Sequence, residues 1–396
     1  MIKLKQALQI VLDAARPLGT ERVDMSDALG RVLAENVAAD ADMPPFDRAT
    51  VDGYACRRAD LGDGLAVIET IPAGAAPAKT VGPNQCAKIM TGAAVPLGAD
   101  CVVMIEQTET AGEDTIRFMG GQTGDNISRR ATFIRAGQVV MQKGSRLGPA
   151  HIAILASVGH VRPLVARRPR VAVIASGDEL VPPATAAEPF LIRNSNGPQL
   201  LSQLQSMSVP ARDYGIVKDV ESEIDRILKE ALAGHDVVLI SGGVSMGDLD
   251  FVPAVLRRNK VRLLFEKVAI KPGKPTVFGL TERAYCFGLP GNPVSTFAVF
   301  ELMVKPFLYR LMGHDYSPLC VQMSLEEPVV RKDTDRQAWI PVKLTSQTSV
   351  RPVQYHGSGH VLALCEADGL TSMDIGVRQI EKAAPVSVRL LPGSGL

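Results

Sequence analysis

Apolar residues at Leu4, Ala7, Leu8, Val11, Leu12 and Ala15 recur with the spacing of one helix face, so the chain is expected to open with an amphipathic helix that Pro17 and Gly19 end. A second short helix is expected from Ser26, with Leu29, Val32 and Leu33 on its inner face. The stretch 39–55 that follows mixes two prolines with several acids and reads as an ordered loop or linker. From about Leu65 to Met141 short β-rich runs alternate with Gly and Pro turns, the pattern of a small β-rich domain. Pro149 opens a further helix that Gly159 closes, and the basic, proline-punctuated run 162–170 marks a boundary whose charges are expected to be solvated.

From Arg170 onward strand and helix patterns alternate. VAVIAS, DYGIVKD, DVVLIS and AYCFGLP read as strand-bearing segments, and GPQLLSQLQSMS, SEIDRILKEALAG, DFVPAVLRR and a long run from Pro293 to Gly313 as helices. Such βα units predict a mainly parallel sheet covered on both faces. After Gly313 short strands return and suggest a small C-terminal β-domain. The fold class is therefore multidomain α/β, as a length of 396 residues also requires.

Lys and Arg number 43 against 42 Asp and Glu, a net charge of +1, so the basic excess of a nucleic-acid binder is missing. No run approaches the ~18 apolar residues of a membrane span. Gln6, Gln9 and Asp13 interrupt any signal-peptide core, so a cytoplasmic protein with neither membrane nor nucleic-acid partner is expected. The six cysteines include no C-x-x-C pair and read as free thiols.

In an open parallel α/β sheet ligands bind beyond the carboxyl ends of the strands. Three predicted strand ends run into loops rich in Gly, hydroxyls and carboxylates: Gly177-Asp178-Glu179, Ser241 to Asp250, and Pro290 to Ser295. Ser241, Gly242, Gly243 and Ser245 could offer backbone N–H groups to an anion. Asp248 and Asp250 follow, and carboxylates beside a phosphate imply an intervening cation, most naturally Mg²⁺. In the third loop Pro290 and Gly291 lead to Asn292 or Ser295 as a cap and to Pro293 at the first helical position, with free N–H groups facing outward. If 266–271 is extended, Lys267, Ala269 and Lys271 share a face while Val268 and Ile270 point to the core, and Pro272-Gly273 turns Lys274 toward them. Three ammonium groups there suit a polyanion.

Gly243-Val244-Ser245-Met246-Gly247 also fits the nucleophile elbow of a serine hydrolase, with His314, His356 or His360 as the later base. Asp248 and Asp250 would crowd its oxyanion region with negative charge. No phosphate-binding P-loop is present, since Gly273-Lys274 is followed by Pro275.

Seven segments, in order, resemble the molybdopterin molybdenumtransferase family of MoeA type, shared with the E domain of gephyrin. They are MPPFDRATVDGYA, KIMTGAAVPLGADCVVMIEQ, SGDEL, NSNGPQL, SGGVSMGDLDFV, KVAIKPGKP and GLPGNPVS, and the C-terminal GSGHVLALCEADGL extends the likeness. The resemblance implies four parts: a dimerisation domain (1–41 with 143–168), a protruding β-rich domain (42–142), a molybdopterin-binding α/β domain (169–314) and a C-terminal β-barrel (315–396). It implies an enzyme that inserts molybdate into the dithiolene of adenylylated molybdopterin and releases AMP with Mg²⁺. It further implies a homodimer whose clefts use the protruding domain of the partner subunit, with the adenylyltransferase that makes the substrate as a candidate partner. By motif position Asp52, Thr91, Glu179, Asp250, Lys267 and Lys271 match the family's catalytic positions, with Glu179 and Asp250 toward the metal. Asp219 matches a further cleft carboxylate, Pro290 and Pro293 shape the loop before the long helix, and Arg336 and Ser358 match anion contacts from the tail, while Lys274 joins the substrate-binding set by its charge alone. A gephyrin-like scaffold and a tungstate-handling relative are the alternatives.

One segment departs from the family pattern, in which an acidic pair follows the Asn-Ile stretch. Here Thr132 and Phe133 occupy those places behind Arg129 and Arg130, so either the acids are dispensable or the positive shift strengthens oxyanion capture.

Overall fold

The computed structural model describes residues 1–186, 188–244, 251–391 and 393, in two compact units. The first comprises Met1–Arg22, Gly30–Ala34 and Leu164–Leu396. At its centre lies a six-stranded sheet in the order Ala211–Val217, Val171–Ser176, Val237–Ser241, Tyr285–Leu289, Val277–Leu280, Arg262–Phe265. The first four strands are parallel. Period-two alternation supplies both faces with apolar side chains. Val171, Val173, Val237, Leu239 and Phe287 face one core, which also holds Leu4, Ala7 and Val11 of the Leu4–Ala14 helix. Ala172, Ile174, Val238, Ile240 and Cys286 face a second core under helices Glu221–Gly234 and Val252–Arg258.

Val277–Leu280 alone runs against the others, and the edge strand Arg262–Phe265, antiparallel to it, again shares the direction of the first four, so the sheet is mainly parallel as expected. The segment 266–271 is not a sheet strand throughout. Only Ile270–Lys271 is extended, and it pairs with Gln337–Leu344. Val268 and Ile270 are buried as the alternation required, but Ala269, expected on the lysine face, is buried as well. The long helix also differs. Pro293–Val299 and Lys305–Leu311 are joined by a π-turn at Phe300–Val304. Pro306 has no N–H for the Leu302 carbonyl and its ring crowds that position, so the preceding turn widens and Lys305 N–H bonds to Phe300 O.

At the opposite end of the sheet Asp236 accepts two bonds from the Arg167 guanidinium, each 3.2 Å, and one from the Arg170 N–H at 2.8 Å. Burial pushes the Asp236 pKa up, but these partners hold it below the usual carboxylate range. The basic run before the sheet is therefore partly spent on this anchor and is not simply solvated. Past Gly313 the chain closes a five-stranded barrel. Gln337–Leu344, Ser349–Pro352, Cys320–Leu325, Pro385–Leu390 and Gly369–Met373 pair in that order, and Gly369–Met373 returns to Gln337–Leu344. A buried ion pair, Lys305 to Glu301 at 2.9 Å, lies within the long helix, and the Arg389 guanidinium of the barrel donates to the Glu301 carbonyl, which ties the helix to the barrel.

The second unit comprises Val23–Leu29 and Glu35–Pro163. Its sheet runs Cys101–Met104, Gly53–Cys56, Gln85–Ile89, Gly64–Ile71, Thr115–Phe118, Thr108–Gly112. Gly53–Cys56 is a buried strand where a loop was expected. A Cβ on Gly53 would fall 1.8 Å from the Val103 carbonyl oxygen, so only glycine fits this close strand approach. Near Ser26 only a single 3₁₀ turn forms, Met25–Asp27, and Leu29 is exposed while Val32 and Leu33 are buried. Cys56, Cys86, Cys101 and Cys286 are buried free thiols, and Cys320 and Cys365 exposed ones. Among the described residues no helix is long and apolar enough to cross a membrane.

Candidate functional site

The parallel strands carry their carboxyl ends to one edge, and there a cleft of about 950 Å³ opens. Strand Val171–Ser176 brings Gly177 and Glu179 to it, and Ala211–Val217 leads to Asp219. Val237–Ser241 supplies Ser241, Gly242 and Gly243, and Tyr285–Leu289 leads to Pro290, Gly291, Asn292, Pro293 and Ser295. Lys271 and Lys274 line the cleft beside Arg336 and Ser358 from the barrel. Sequence position thus placed most of the lining. Lys267, three residues before the strand that carries Lys271, is not in the lining. Ser245 and Asp250 lie outside the described residues.

The backbone at the second loop differs from an open anion nest. The Gly242 N–H donates to Leu289 O at 3.1 Å, so it belongs to the sheet and is not available to a ligand. Gly242 has φ +97°, and a Cβ there would sit 2.1 Å from Ser176 O. The residue must therefore be glycine for two independent reasons. Gly242→Ala is expected to destabilise the protein by about 2–4 kcal/mol, from backbone strain plus overpacking, and to lower activity with it. A denaturation midpoint unchanged from wild type would contradict this.

In the third loop Asn292 makes no capping side-chain bond. Its neighbour Val294 donates its N–H to Ser358 O at 3.1 Å, which pins the barrel loop at the cleft. The expected free N–H groups are in part used for docking. Beneath the loops, Ser176 Oγ donates to Asp219 at 2.6 Å.

Charge in the cleft is predominantly positive. Arg193, Lys271, Lys274 and Arg336 line it against the carboxylates Glu179 and Asp219, among the described residues. Lys271 lies 3.6 Å from Asp333 in an exposed pair that water screens, and the half-buried Arg336 3.5 Å from the exposed Asp335; a dianion can replace either carboxylate. Glu179 makes no side-chain hydrogen bond or ion pair within the described structure. Its oxygens are hard donors of the kind Mg²⁺ takes, although no three His, Cys, Asp or Glu side chains converge among the described residues. Tyr355 also lines the cleft, and burial pushes its phenol up to about 12, so it is a neutral hydroxyl donor. Arg193, Asn196 and Tyr355 escaped the sequence reading. Arg193 and Asn196 sit where an extended pair gives way to a helix, a position the NSNGPQL segment marks without showing which side chain turns inward.

Asp52 and Thr91 form a separate pair in the second unit. Thr91 donates both its N–H, at 2.6 Å, and its hydroxyl, at 2.9 Å, to Asp52 Oδ1. These two bonds hold the Asp52 carboxyl below the usual carboxylate range. It is an anion at neutral pH and no general acid. Nearby, Arg129 pairs with Asp47 at 2.9 Å and Arg130 with Asp42 at 2.6 Å, while Thr132 Oγ1 donates to Arg129 O. The positive shift read at Thr132 and Phe133 is therefore already balanced locally by Asp42 and Asp47. Of the histidines weighed for a hydrolase, His356 and His360 stack on each other and His314 packs edge-on to Tyr309.

Residues 2–159 match the model for the MoeA N-terminal region (domains I and II), 172–310 that for a probable molybdopterin binding domain, and 329–391 that for the MoeA C-terminal region (domain IV). A molybdopterin molybdenumtransferase of Staphylococcus epidermidis is 35% identical over 98% of this chain and 95% of its own length. That of Staphylococcus aureus is 34% identical over the same shares, 98% and 95%. The crystal structure of a molybdopterin biosynthesis MoeA protein from Pyrococcus horikoshii aligns with a TM-score of 0.86 at 30% identity, covering 99% of this chain and 100% of the other.

Proposed function

Since this chain belongs to the MoeA-type molybdopterin molybdenumtransferases and acts in molybdenum cofactor biosynthesis, we propose that it inserts molybdate into the dithiolene of adenylylated molybdopterin and releases AMP. The observation that carries this reading is the cleft itself, which sets Lys271, Lys274 and Arg336 beside Glu179 and Asp219 at the carboxyl edge of the sheet. Lys271, Lys274, Arg336 and the Ser358 hydroxyl suit a tetrahedral dianion. The loops at Ser241–Gly243 and Pro290–Ser295 orient the phosphoanhydride end of the pterin substrate, and Asp219 is fixed there by Ser176. Glu179, together with Asp250, would hold Mg²⁺. When bound, that ion polarises the phosphoanhydride and stabilises charge on the departing phosphate. Asp52, kept ionised by Thr91, positions substrate.

We read the molecule as a homodimer divided as the family resemblance implies: 1–41 with 143–168 for dimerisation, 42–142 protruding, 169–314 binding molybdopterin, and 315–396 as the barrel. The helix Pro149–Ser157 supports a covered surface there. It is apolar on most sides yet buries only Leu155.

The direct test is molybdate-dependent release of AMP from adenylylated molybdopterin by the purified protein, with and without Mg²⁺, and with tungstate in a parallel arm. Absence of AMP release would leave a scaffold of the same fold. For the oxyanion subsite, Lys271→Ala is expected to raise the half-saturating molybdate concentration roughly 10–100-fold, the equivalent of losing a hydrogen bond to a charged group worth about 1.5–3 kcal/mol. Turnover at saturating molybdate should fall far less. An unchanged half-saturation would remove Lys271 from the subsite.

A further inference from the structure

Asn196 opens the helix Asn196–Ser206 with its side chain turned into the protein, and the residue is only 8% exposed although it lines the cleft. Its Nδ2 group donates to Ser241 Oγ at 2.7 Å and to the Gly291 carbonyl at 2.7 Å. Ser241 Oγ in turn donates to the Pro290 carbonyl at 3.2 Å. One side-chain amide thus links the ends of two strands whose loops form facing parts of the cleft. Oδ1 of the same amide is buried with no hydrogen-bond partner among the described residues. A buried acceptor left unpaired costs about as much as a hydrogen bond gains, so it offsets about one of the two bonds that the amide donates and the net stability gained is modest. What the placement does supply is a fixed distance between Ser241 and Gly291.

We infer that Asn196 is a positioning residue for the insertion reaction, holding the Ser241–Gly243 loop and the Pro290–Asn292 loop in the one arrangement that fits the pterin phosphoanhydride. This deepens the proposed function and rests on it. Lys271, Lys274 and Arg336 reach the cleft from segments that the amide does not bond, so the cations of the oxyanion subsite do not hang on it; only Ser358, docked by the Val294 N–H, touches a loop that it holds.

The test uses the full-length protein with Asn196→Ala, Asn196→Asp and, as a milder change that removes one anchor, Ser241→Ala. Misplacing a substrate-orienting group by about 1 Å costs up to roughly 100-fold in rate, so turnover of Asn196→Ala per folded molecule should fall roughly 10–100-fold. Half-saturating molybdate should stay within about twofold, and the melting temperature should barely move. In Asn196→Asp a neutral carboxyl can donate one bond that the carboxylate cannot. Its turnover relative to wild type should therefore rise as pH is lowered, a response that a purely structural role would not give. Hydrogen exchange at 241–244 and 290–292 reads the loops without any chemistry, and should quicken in all three variants. Unchanged exchange there, or turnover within twofold of wild type in both Asn196 variants, overturns the inference. If Asn196→Ala fails to fold, Ser241→Ala and Asn196→Asp decide by the same readouts. Wild-type protein that shows no insertion activity overturns the functional reading instead, while exchange still reports whether the amide fixes the loops.

Discussion

Replacing Asp250 by alanine is expected to lower molybdenum insertion by at least ~100-fold, the scale set by removal of a preorganised electrostatic group, while leaving the melting temperature close to wild type. The cleft that Ser241–Gly243 line carries basic side chains, as an anionic substrate needs. A carboxylate beside that substrate would repel it unless a cation lay between, and Glu179 offers a second carboxylate without a side-chain partner among the described residues. The variant should remain defective at saturating Mg²⁺. Glu179→Gln should instead shift the Mg²⁺ dependence to higher concentration and retain part of the maximal rate, because one ligand of two is kept. Near-wild-type turnover of purified Asp250→Ala at saturating Mg²⁺ would remove the metal from the reading, and AMP release would then rest on the basic side chains alone.

The elements that could be read from the sequence were those whose burial imposes a period. The Leu4–Ala14 helix and the four parallel strands carry apolar residues at intervals that no loop needs. Gly53–Cys56 has only four residues and follows a stretch of prolines and acids, too short for alternation to register. Its signal was Gly53 itself, whose necessity appears only when Val103 is beside it. The reversed direction of Val277–Leu280, between Tyr285–Leu289 and the edge strand Arg262–Phe265, depends on how the chain returns, a tertiary fact. The π-turn could have been inferred at Pro306, since a proline inside a helical pattern must disturb the turn before it.

In the cleft, residue chemistry was easier to read than hydrogen-bond allocation. Lys271, Lys274 and Glu179 lie where their charge and strand-end position suggested. The sequence could not show that the Gly242 N–H is given to Leu289, or that the Val294 N–H docks Ser358, because each depends on a carbonyl distant along the chain. Asn196 illustrates the same limit. An asparagine before a helix reads as a cap, yet here Asn194 accepts the Gly197 N–H and Asn196 turns inward.

Mixing Asp52→Ala chains with Asp250→Ala chains should restore activity that neither shows alone. Every residue lining the cleft belongs to the compact unit that contains the central sheet, whereas Asp52 and Thr91 belong to the other. The pair is exposed and its carboxylate is held ionised by two donors from Thr91, an arrangement that suits contact with a ligand better than it suits a core. If each cleft combines its own Asp250 with Asp52 of the partner subunit, a mixed dimer contains one cleft with both residues intact and one with neither. Free exchange makes about half of the dimers mixed, and one cleft in two of those works, so activity should recover to about a quarter of wild type. Two clefts each built within a single chain would give no recovery, since every cleft would lack one of the two carboxylates. Subunit exchange must be verified on the same sample, by mass-tagged chains captured together. Verified exchange without recovery would show that Asp52 acts within its own chain or outside the reaction, and would withdraw the shared cleft.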